Sequence, residues 1–575
     1  MTRPFAFHFF ALILFLLLAV SMTFPLALHA GNALLGTDSN ALNDSYLSVW
    51  IFGWQAHQLT LDPLQLFQGN IFYPFHNTLA FSEIILPEAL LYLPLDFATG
   101  NPILAYNFVI LLLFALNGFA MYLWALDTLS SPLLNEKEQW KVSQATLTTY
   151  LTAILAGLIF AFCTYKLGEL RHVQLLAAQF IPLTMMYLAR GVRRPTARNA
   201  FFIALFFVLN ALSSLYYALF LALAMVLYIV VDFLTRRYRI TRAHLIPGVL
   251  AAVMAGVILL PFVIPFLQVE REYHFSASRD PRLFSARPAS YLAALPTSWL
   301  YGNVTRGFYV TAKGQPLLPG FVVSALVIAG LFFTRRRGII IFLLLLALMG
   351  FALSFGPVLL LGRDSNPATL IRLPFQYLSG LIPPLKNLNA PSRFAVLVML
   401  ALSLLAAFGA QRLALRAGRR QNAVLVVLGL LMLVEYASVP LRLAPVAAGE
   451  AISPVYKFLA AQPPGQPVVE MPMGAPNFAD QDKYVEYTYN SVYHWQPLVN
   501  GYSTFIPPDY YALVRDMQKF PSQATLARLK AWGVVFVVVH ADRYKNSRQV
   551  RAKLDSLEGI ERVQDFEAIW LYRIK

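Results

Sequence analysis

The chain has 575 residues, of which 58% are of hydrophobic types and only 13% are charged. Soluble domains carry about 25% charged residues, so this composition excludes a soluble enzyme and a disordered chain and predicts many helices buried in lipid. The single cysteine, Cys163, excludes any intramolecular disulfide.

The formal net charge of +16 is unevenly distributed along the chain. Residues 1–440 carry 30 basic and 16 acidic residues, whereas residues 441–575 carry 15 and 13. In the first part, arginine concentrates in short segments between apolar runs, which are RGVRRPTAR (190–198), TRRYRITR (235–242), RRR (335–337) and RLALRAGRR (412–420). This positive-inside pattern predicts that these segments and the N-terminus are cytoplasmic. We exclude a nucleic-acid-binding function, because no contiguous basic domain exists.

Apolar runs predict eleven crossings of a plasma or inner membrane. With a cytoplasmic N-terminus, this odd number places the C-terminus outside the cytoplasm. The run 5–28 is interpreted as a signal anchor, because it is long enough to span and lacks a persuasive small-residue cleavage site. The other predicted spans are 102–126, 147–165, 173–189, 199–213, 215–234, 243–267, 317–334, 338–361, 393–411 and 422–440.

One of these assignments depends on charge. Residues 199–231 are uncharged and would form a helix of about 50 Å, longer than a membrane core of about 30 Å. Both flanks are rich in arginine, so the charge rule requires an even number of crossings between them. We therefore predict a turn at Leu212, Ser213 and Ser214.

The composition changes near Pro440. Segments SPVYKFLAAQ and QATLARLKAW read as amphipathic helices, PVVEM and VVFVVV as buried strands, and DFEAIWLYRI as an edge hairpin or a strand. The predicted fold class is therefore a polytopic α-helical membrane protein with an extracytoplasmic α/β domain. We predict a membrane domain over 1–440, with a long first outer loop at 29–101, and an outer domain over 441–575.

The first outer loop contains acidic residues beside a predicted helix. Tyr46, Trp50 and Trp54 lie one turn apart, which predicts an amphipathic helix in the interface with its aromatic rings at headgroup depth. Asp38 and Asp44 lie just before and at the start of this helix. They either stabilise its N-terminus or present a carboxylate where a lipid-borne substrate would place its headgroup.

Two glutamates, Glu83 and Glu88, interrupt an apolar run later in the same loop, so we expect them to face a wet cavity or the surface. His172 lies in a short outer turn, where it either relays a proton or caps a helix end, and it is also a candidate for binding substrate or phosphate. Glu435 lies near the outer end of the last span and is either a site residue or a snorkelling surface residue.

The chain has no HExxH, CxxC or P-loop motif, so zinc and nucleotide-triphosphate sites lack support.

Several outer cations are candidates for binding phosphate. Arg271 and Arg279 follow a predicted span, Lys386 lies in a proline-rich loop, and Arg393 directly precedes an apolar run. Arginine offers a planar, bidentate donor to phosphate, so these residues predict a clamp for a lipid phosphate. The alternative is a solvated loop or one held to anionic lipid headgroups.

Short motifs spread over the chain resemble those of one superfamily. They are DSYLSVWIFGW (44–54), NIFYP (70–74), LAFSE (79–83), RHVQLL (171–176), FIPL (180–183), PPLKNLNAPSRF (383–394) and VNGYSTFIPPDYY (499–511). With the acidic first outer loop and the outer soluble domain, they resemble the GT-C superfamily of integral-membrane glycosyltransferases, which includes the protein O-mannosyltransferases. The resemblance is closer to a group of bacterial GT-C-like membrane proteins.

This resemblance implies transfer of a sugar from a polyprenyl-phosphate donor to an extracytoplasmic glycan, lipid or protein, with inversion at the anomeric carbon. It also implies that a first-loop acid acts as general base or helps to bind Mg²⁺ or Mn²⁺. Asp44 matches that acid best, Asp38 comes second, and Glu83 is the remaining alternative. The Asp-Glu pair of the mannosyltransferases is absent, because Asn43 precedes and Ser45 follows Asp44.

Two other functions remain open at the level of sequence. A lipid-linked-sugar transporter or flippase would need paired charges or broken helices near mid-membrane, and few such charges are present. The third possibility is an inactive scaffold of an envelope-assembly complex.

Overall fold

A computed structural model describes residues 3–36, 42–130, 146–236, 241–274, 280–333, 337–361, 371–386, 388–481 and 484–575. The chain folds into two compact units. The first, here called the helical unit, comprises Met1–Leu28, Ile110–Leu260 and Ser276–Leu441. The second, here called the α/β unit, comprises His29–Val109, Pro261–Phe275 and Arg442–Lys575.

The helices cover most of the described chain. The first twelve are α1 Arg3–Met22, α2 Asn43–Leu61, α3 Leu86–Thr99, α4 Pro102–Ser130, α5 Leu147–Phe162, α6 Thr164–Gly168, α7 Val173–Leu176, α8 Phe180–Arg193, α9 Ala197–Ser213, α10 Leu215–Arg236, α11 Arg242–Tyr273 and α12 Arg306–Thr311. The others are α13 Phe321–Phe333, α14 Arg337–Ser354, α15 Pro374–Leu381, α16 Pro383–Lys386, α17 Ala395–Arg416, α18 Gln421–Tyr436, α19 Pro454–Ala460, α20 Phe478–Gln481, α21 Val485–Asn490, α22 Pro508–Asp516, α23 Gln523–Ala531 and α24 Ser547–Ser556.

The chain is an integral, multi-pass membrane protein. Among the described residues, eight helical segments are long and apolar enough to cross a membrane, namely Phe5–Met22, Pro102–Ser130, Leu147–Gly168, Val173–Arg193, Leu215–Thr235, Arg242–Tyr273, Arg337–Ser354 and Pro391–Arg416. Shorter helices, α9, α13 and α18, lie in the other three predicted spans.

The predicted turn in the uncharged run 199–231 is confirmed. Helix α9 ends at Ser213 and α10 begins at Leu215, so the chain makes two helices rather than one. The hydroxyl of Thr196 accepts a hydrogen bond from the Asn199 amide and caps the start of α9. Ser214 has an extended backbone, and its amide still donates to the Asn210 carbonyl as the last bond of the helix.

Glycines set the closest approach between helices of the helical unit. A side chain at Gly330 of α13 would meet the Leu405 carbonyl of α17 at 2.6 Å, and one at Gly409 of α17 would overlap the Leu326 carbonyl. Small residues on both partners therefore allow the two backbones to touch, as is common between helices in membranes. Helix α17 is accordingly the most buried of the eight candidate spans.

The α/β unit contains a four-stranded sheet. Strand β1 is Ala33–Leu35, β2 is Leu443–Pro445, β3 is Val468–Met471, β4 is Phe536–His540, β5 is Ile560–Phe566 and β6 is Ile569–Ile574. The sheet order is β3-β4-β6-β5; β3 pairs parallel with β4, and the other pairs are antiparallel. The predicted strands in PVVEM and VVFVVV are confirmed. DFEAIWLYRI is a hairpin, in which β6 is an interior strand and β5 is the edge.

The first outer loop is part of this unit. The Phe72 amide donates to the Asn500 carbonyl at 3.1 Å, and the Tyr73 amide donates to the Leu498 carbonyl at 2.9 Å. The Val499 amide in turn donates to Val468 of β3 at 2.8 Å. The motif NIFYP therefore pairs with the start of VNGYSTFIPPDYY and the residue before it, and this segment in turn bonds to β3. The division of the chain at residue 440 stays a prediction.

The aromatic residues of α2 differ from the expectation. Tyr46, Trp50 and Trp54 are buried inside the α/β unit rather than exposed for headgroups. The Trp50 indole N–H donates to the Asn70 side chain at 2.9 Å, the Trp54 indole N–H donates to a backbone carbonyl, and Tyr46 stacks on Tyr489. Helical spacing of aromatic rings predicted an apolar face correctly, but it does not distinguish a lipid surface from a protein interior.

Candidate functional site

Asp44 lies in the first turn of α2, which begins at Asn43. The residue at the cap position is Leu42, so Asp44 is not the N-cap of the helix. Its carboxylate is half-buried, and the partial positive charge of the helix N-terminus stabilises the ionised form. The Ser48 hydroxyl donates to the Asp44 carbonyl at 2.7 Å and holds this first turn.

A second polar group faces the start of α2. The Tyr106 hydroxyl lies within electrostatic range of the Asp44 carboxylate, with Ser45 and Ser48 beside it. Tyr106 is fully enclosed by protein, and its ring packs at 5.9 Å from that of Phe52. The carboxylate is therefore held on a rigid helix among hydroxyl groups, which is suitable for accepting a proton.

The other acids of the first loop are placed differently. Asp38 lies outside the described residues. Glu83 is half-buried and precedes α3, whereas Glu88 lies in the first turn of α3 and is fully buried. The surface alternative for Glu88 is therefore wrong, because the protein encloses this side chain, whereas the wet-cavity alternative stays a prediction.

In the helical unit, the short turn between α6 and α7 carries a pair of titratable groups. His172 Nδ1 lies 2.6 Å from Glu169 Oε2, and both side chains are half-buried. Burial alone would raise the pKa of the Glu169 carboxyl, but its interactions with His172 and Arg393 lower that pKa below its ordinary value. Glu169 therefore stays ionised at neutral pH and orients the imidazole ring.

Arg393 belongs to the same cluster. Its guanidinium lies over the Tyr216 ring, 4.4 Å from the ring centre, and its carbonyl accepts a hydrogen bond from the Tyr165 hydroxyl at 3.4 Å. The Tyr165 and Tyr217 hydroxyls are 3.0 Å apart. The structure thus brings together His172 and Arg393, two of the residues that the sequence predicted for phosphate binding.

Lys166 was not predicted as a site residue, although the structure places it at the base of this cluster. The side chain is only 1% exposed, and its ammonium donates to the carbonyls of Leu175 at 2.5 Å and Leu176 at 3.2 Å. The Tyr217 hydroxyl also donates to Leu175, at 2.7 Å. These bonds hold the turn that carries His172. The available signal was a lysine at the end of an apolar run, because a charged residue in a predicted span is costly and usually functional.

The remaining predicted cations lie apart from this cluster. Lys386 is exposed at the end of the short helix α16, and among the described residues it makes no hydrogen bond or ion pair with the cluster. Arg271 is exposed in the last turn of α11 and belongs to the α/β unit. Arg279 lies outside the described residues.

Glu435 has a structural role. Its carboxylate accepts hydrogen bonds from the backbone amides of Phe321 and Val322, the latter at 3.2 Å, and from the Tyr301 hydroxyl at 2.8 Å. Glu435 therefore satisfies the free amides at the start of α13. Neither the site interpretation nor the snorkelling interpretation is needed for this buried side chain.

The described acids do not support a metal centre. Within the part of the chain that the structure describes, which leaves out Asp38, no group of three or more His, Cys, Asp or Glu side chains is placed to hold a metal ion. The reaction proposed below involves no step through Mg²⁺ or Mn²⁺.

Three solved structures resemble this fold. The arabinofuranosyltransferase AftD from Mycobacteria superposes with a TM-score of 0.54 at 14% identity, covering 100% of this chain and 41% of that one. The Archaeoglobus fulgidus oligosaccharyltransferase in its apo form gives 0.46 at 11% identity, covering 93% and 70%. The same enzyme tethered to an acceptor peptide gives 0.42 at 11% identity, covering 93% and 69%.

The likeness to AftD extends over the whole chain, although the chain spans less than half the length of AftD. No protein-family model matches the sequence, and no curated protein matches it. At 14% identity, the similarity establishes the fold and not the reaction. The expected fold class, a polytopic α-helical membrane protein with a C-terminal α/β region, is confirmed, and its fold is similar to that of a membrane glycosyltransferase.

Proposed function

We propose that this chain is a membrane glycosyltransferase facing the extracytoplasmic side, which moves a sugar from a polyprenyl-phosphate donor to an acceptor hydroxyl. The observation that carries the proposal is the half-buried Asp44 carboxylate at the head of a rigid helix, beside the Tyr106 hydroxyl. A positioned carboxylate is what deprotonation of an acceptor hydroxyl requires.

In this mechanism Asp44 accepts the proton of the acceptor hydroxyl while the hydroxyl oxygen attacks the anomeric carbon of the donor. The bond from that carbon to the phosphate oxygen breaks, and the lipid phosphate leaves with the electron pair. We propose separately that the cluster of Arg393 and His172 in the helical unit binds a lipid phosphate, with Arg393 as a bidentate donor. A single displacement of this kind inverts the anomeric centre.

The distribution of charge in the spans supports an enzyme over a flippase. In the eight candidate spans, Asp, Glu, Lys and Arg lie near helix ends, as in the cases of Asp127, Lys166 and Asp232. A transporter that carries an anionic headgroup across the membrane would need such residues near the midplane. The cations that the structure groups together, Lys166 and Arg393, instead lie at the ends of their spans.

The test is transfer by the purified protein in liposomes that contain a panel of radiolabelled polyprenyl-phosphate hexoses and pentoses. Asp44→Asn keeps the size of the side chain but removes the base, so transfer should fall about 100-fold or more. Asp62→Asn is the matched control, because Asp62 is an exposed acid at the other end of the same helix and caps a short turn. Transfer by Asp44→Asn within about threefold of wild type would refute the role of Asp44 as base.

A further inference from the structure

Trp495 has an unusual backbone conformation. Its φ of +53° lies in the left-handed region, which bulky L-residues rarely adopt. Its neighbours enforce this conformation, because His494 and Gln496 are 5% and 2% exposed and hydrogen-bonded. The Gln496 amide donates to His494 Nδ1 at 3.0 Å, and its side chain donates to the Pro463 carbonyl at 3.0 Å and accepts from the Gln466 amide at 2.9 Å. Such held strain concentrates at functional positions.

The strained backbone presents a half-buried indole ring at the surface of the α/β unit. That ring stacks on His57 of α2, with ring centres 4.3 Å apart and planes inclined by 16°. The Trp54 ring lies 6.0 Å away, and a side chain at Gly53 would meet the Trp495 ring at 3.3 Å. Trp495 and His57 thus form a rigid pair of aromatic rings, here called the aromatic platform.

The polar atoms of the platform differ from those of the neighbouring tryptophans. The indole N–H groups of Trp50 and Trp54 donate to Asn70 and Leu66. In the described part of the chain, by contrast, the side-chain nitrogens of Trp495 and His57 have no hydrogen-bond partner. Burial lowers the pKa of His57, so its ring is neutral and offers one donor and one acceptor.

We propose that the aromatic platform of His57 and Trp495 binds a neutral sugar ring, and that this ring belongs to the acceptor glycan. A sugar ring has an apolar face of C–H groups that packs on an aromatic ring, and hydroxyl groups that bond to N–H donors and to an imidazole acceptor. His57 of the platform belongs to α2, the helix that carries Asp44, and lies about 20 Å along it from Asp44. The identity of the sugar as acceptor rests on the proposed glycosyltransferase function, whereas its binding to the platform does not.

The test uses the full-length protein in nanodiscs, labelled with a fluorophore and applied to an array of neutral di- to hexasaccharides. Trp495→Gly removes the indole and relieves the positive φ, so the fold should be retained while glycan binding falls by about tenfold or more. His57→Ala should weaken binding to a similar extent. Trp532→Ala is the matched control: Trp532 is a half-buried tryptophan of the same unit, packed edge-to-face on Phe75, and its loss should leave glycan binding unchanged.

Two results would overturn the proposal: no saccharide on the array is retained by the wild-type protein, or Trp495→Gly and His57→Ala bind as wild type does. The result for Asp44→Asn separates this proposal from the proposed function. That variant should bind glycans normally while its sugar transfer falls about 100-fold or more. If the wild-type protein binds glycans but transfers no sugar, the result would support the aromatic platform and refute the proposed glycosyltransferase function.

Discussion

For Arg393, the structure shows neighbouring residues that the sequence did not predict. Its position before an apolar run predicted a lipid-phosphate ligand, and the structure adds His172, Glu169 and the Tyr216 ring as neighbours. Arg393→Ala should raise the donor KM by about tenfold or more, and Arg393→Lys should restore only part of the affinity, because lysine lacks the bidentate fork. Arg372→Ala, at an exposed arginine of the same unit, should leave the donor KM unchanged. If Arg393 only anchors the span among headgroups, Arg393→Lys will match wild type.

His494 predicts a dependence of stability on pH. Its buried ring stacks on Tyr456, and burial lowers its pKa to about 3. The ring therefore stays neutral in the folded protein but takes up a proton on unfolding once the pH is below about 6.5. The free energy of unfolding should then fall by roughly 1.4 kcal/mol per pH unit between about pH 6 and pH 4.

His494→Asn tests this pH dependence, because asparagine keeps an acceptor for the Gln496 amide and does not titrate. Thermal unfolding in detergent at pH 7 and pH 4.5 gives the measurement. The midpoint should drop less on acidification in His494→Asn than in wild type. Equal drops would mean that other groups account for the acid sensitivity.

The chemistry of single residues could be read from the sequence, but their groupings could not. Asp44 and Arg393 were identified because each stands beside an apolar helix at the level expected for a lipid headgroup. The contact of Arg393 with the turn of His172 depends on how distant helices pack, and no local pattern encodes it. Lys166 was missed as a site residue because its partners are backbone carbonyls, which have no sequence signature.

At the scale of elements, Glu435 links α18 to the start of α13. Glu435→Ala would leave the amides of Phe321 and Val322 unsatisfied and should cost about 1–3 kcal/mol of stability, whereas Glu435→Gln should cost less. Thermal unfolding of the two variants in detergent measures the difference. Glu450→Ala, at an exposed glutamate, is the control and should unfold as wild type does. An unchanged midpoint in Glu435→Ala would show that capping contributes no stability.

The positions of helices and strands could be predicted from the sequence more readily than the partners that their apolar faces contact. The break at Ser214 followed from length and flanking arginines, and the buried strands followed from runs of valine. The burial of α2 did not follow, because Trp50 meets protein where the pattern allowed lipid. The pairing of Phe72 with Asn500 was also hidden, since it uses backbone atoms that every residue carries.

At the scale of the whole molecule, the number of crossings decides on which side the α/β unit lies. Eight long spans alone would return the C-terminus to the side of the N-terminus, whereas the three shorter helices, α9, α13 and α18, bring the number to eleven. We expect eleven crossings, a cytoplasmic N-terminus and an external C-terminus. A reporter that works only in the cytoplasm, fused after Lys575, should therefore be silent. A strong signal would mean an even number of crossings and would contradict the predicted topology.

Asp44 is proposed to act as the base at the place where the sugar of a lipid-linked donor reacts. A density map of the protein in nanodiscs, with a non-transferable polyprenyl-phosphate sugar bound, tests this claim most directly. We expect the sugar headgroup to lie within hydrogen-bond distance, about 3.5 Å, of the Asp44 carboxylate or one water away from it. Headgroup density confined to the middle of the spans, away from α2, would contradict the glycosyltransferase and favour a transporter.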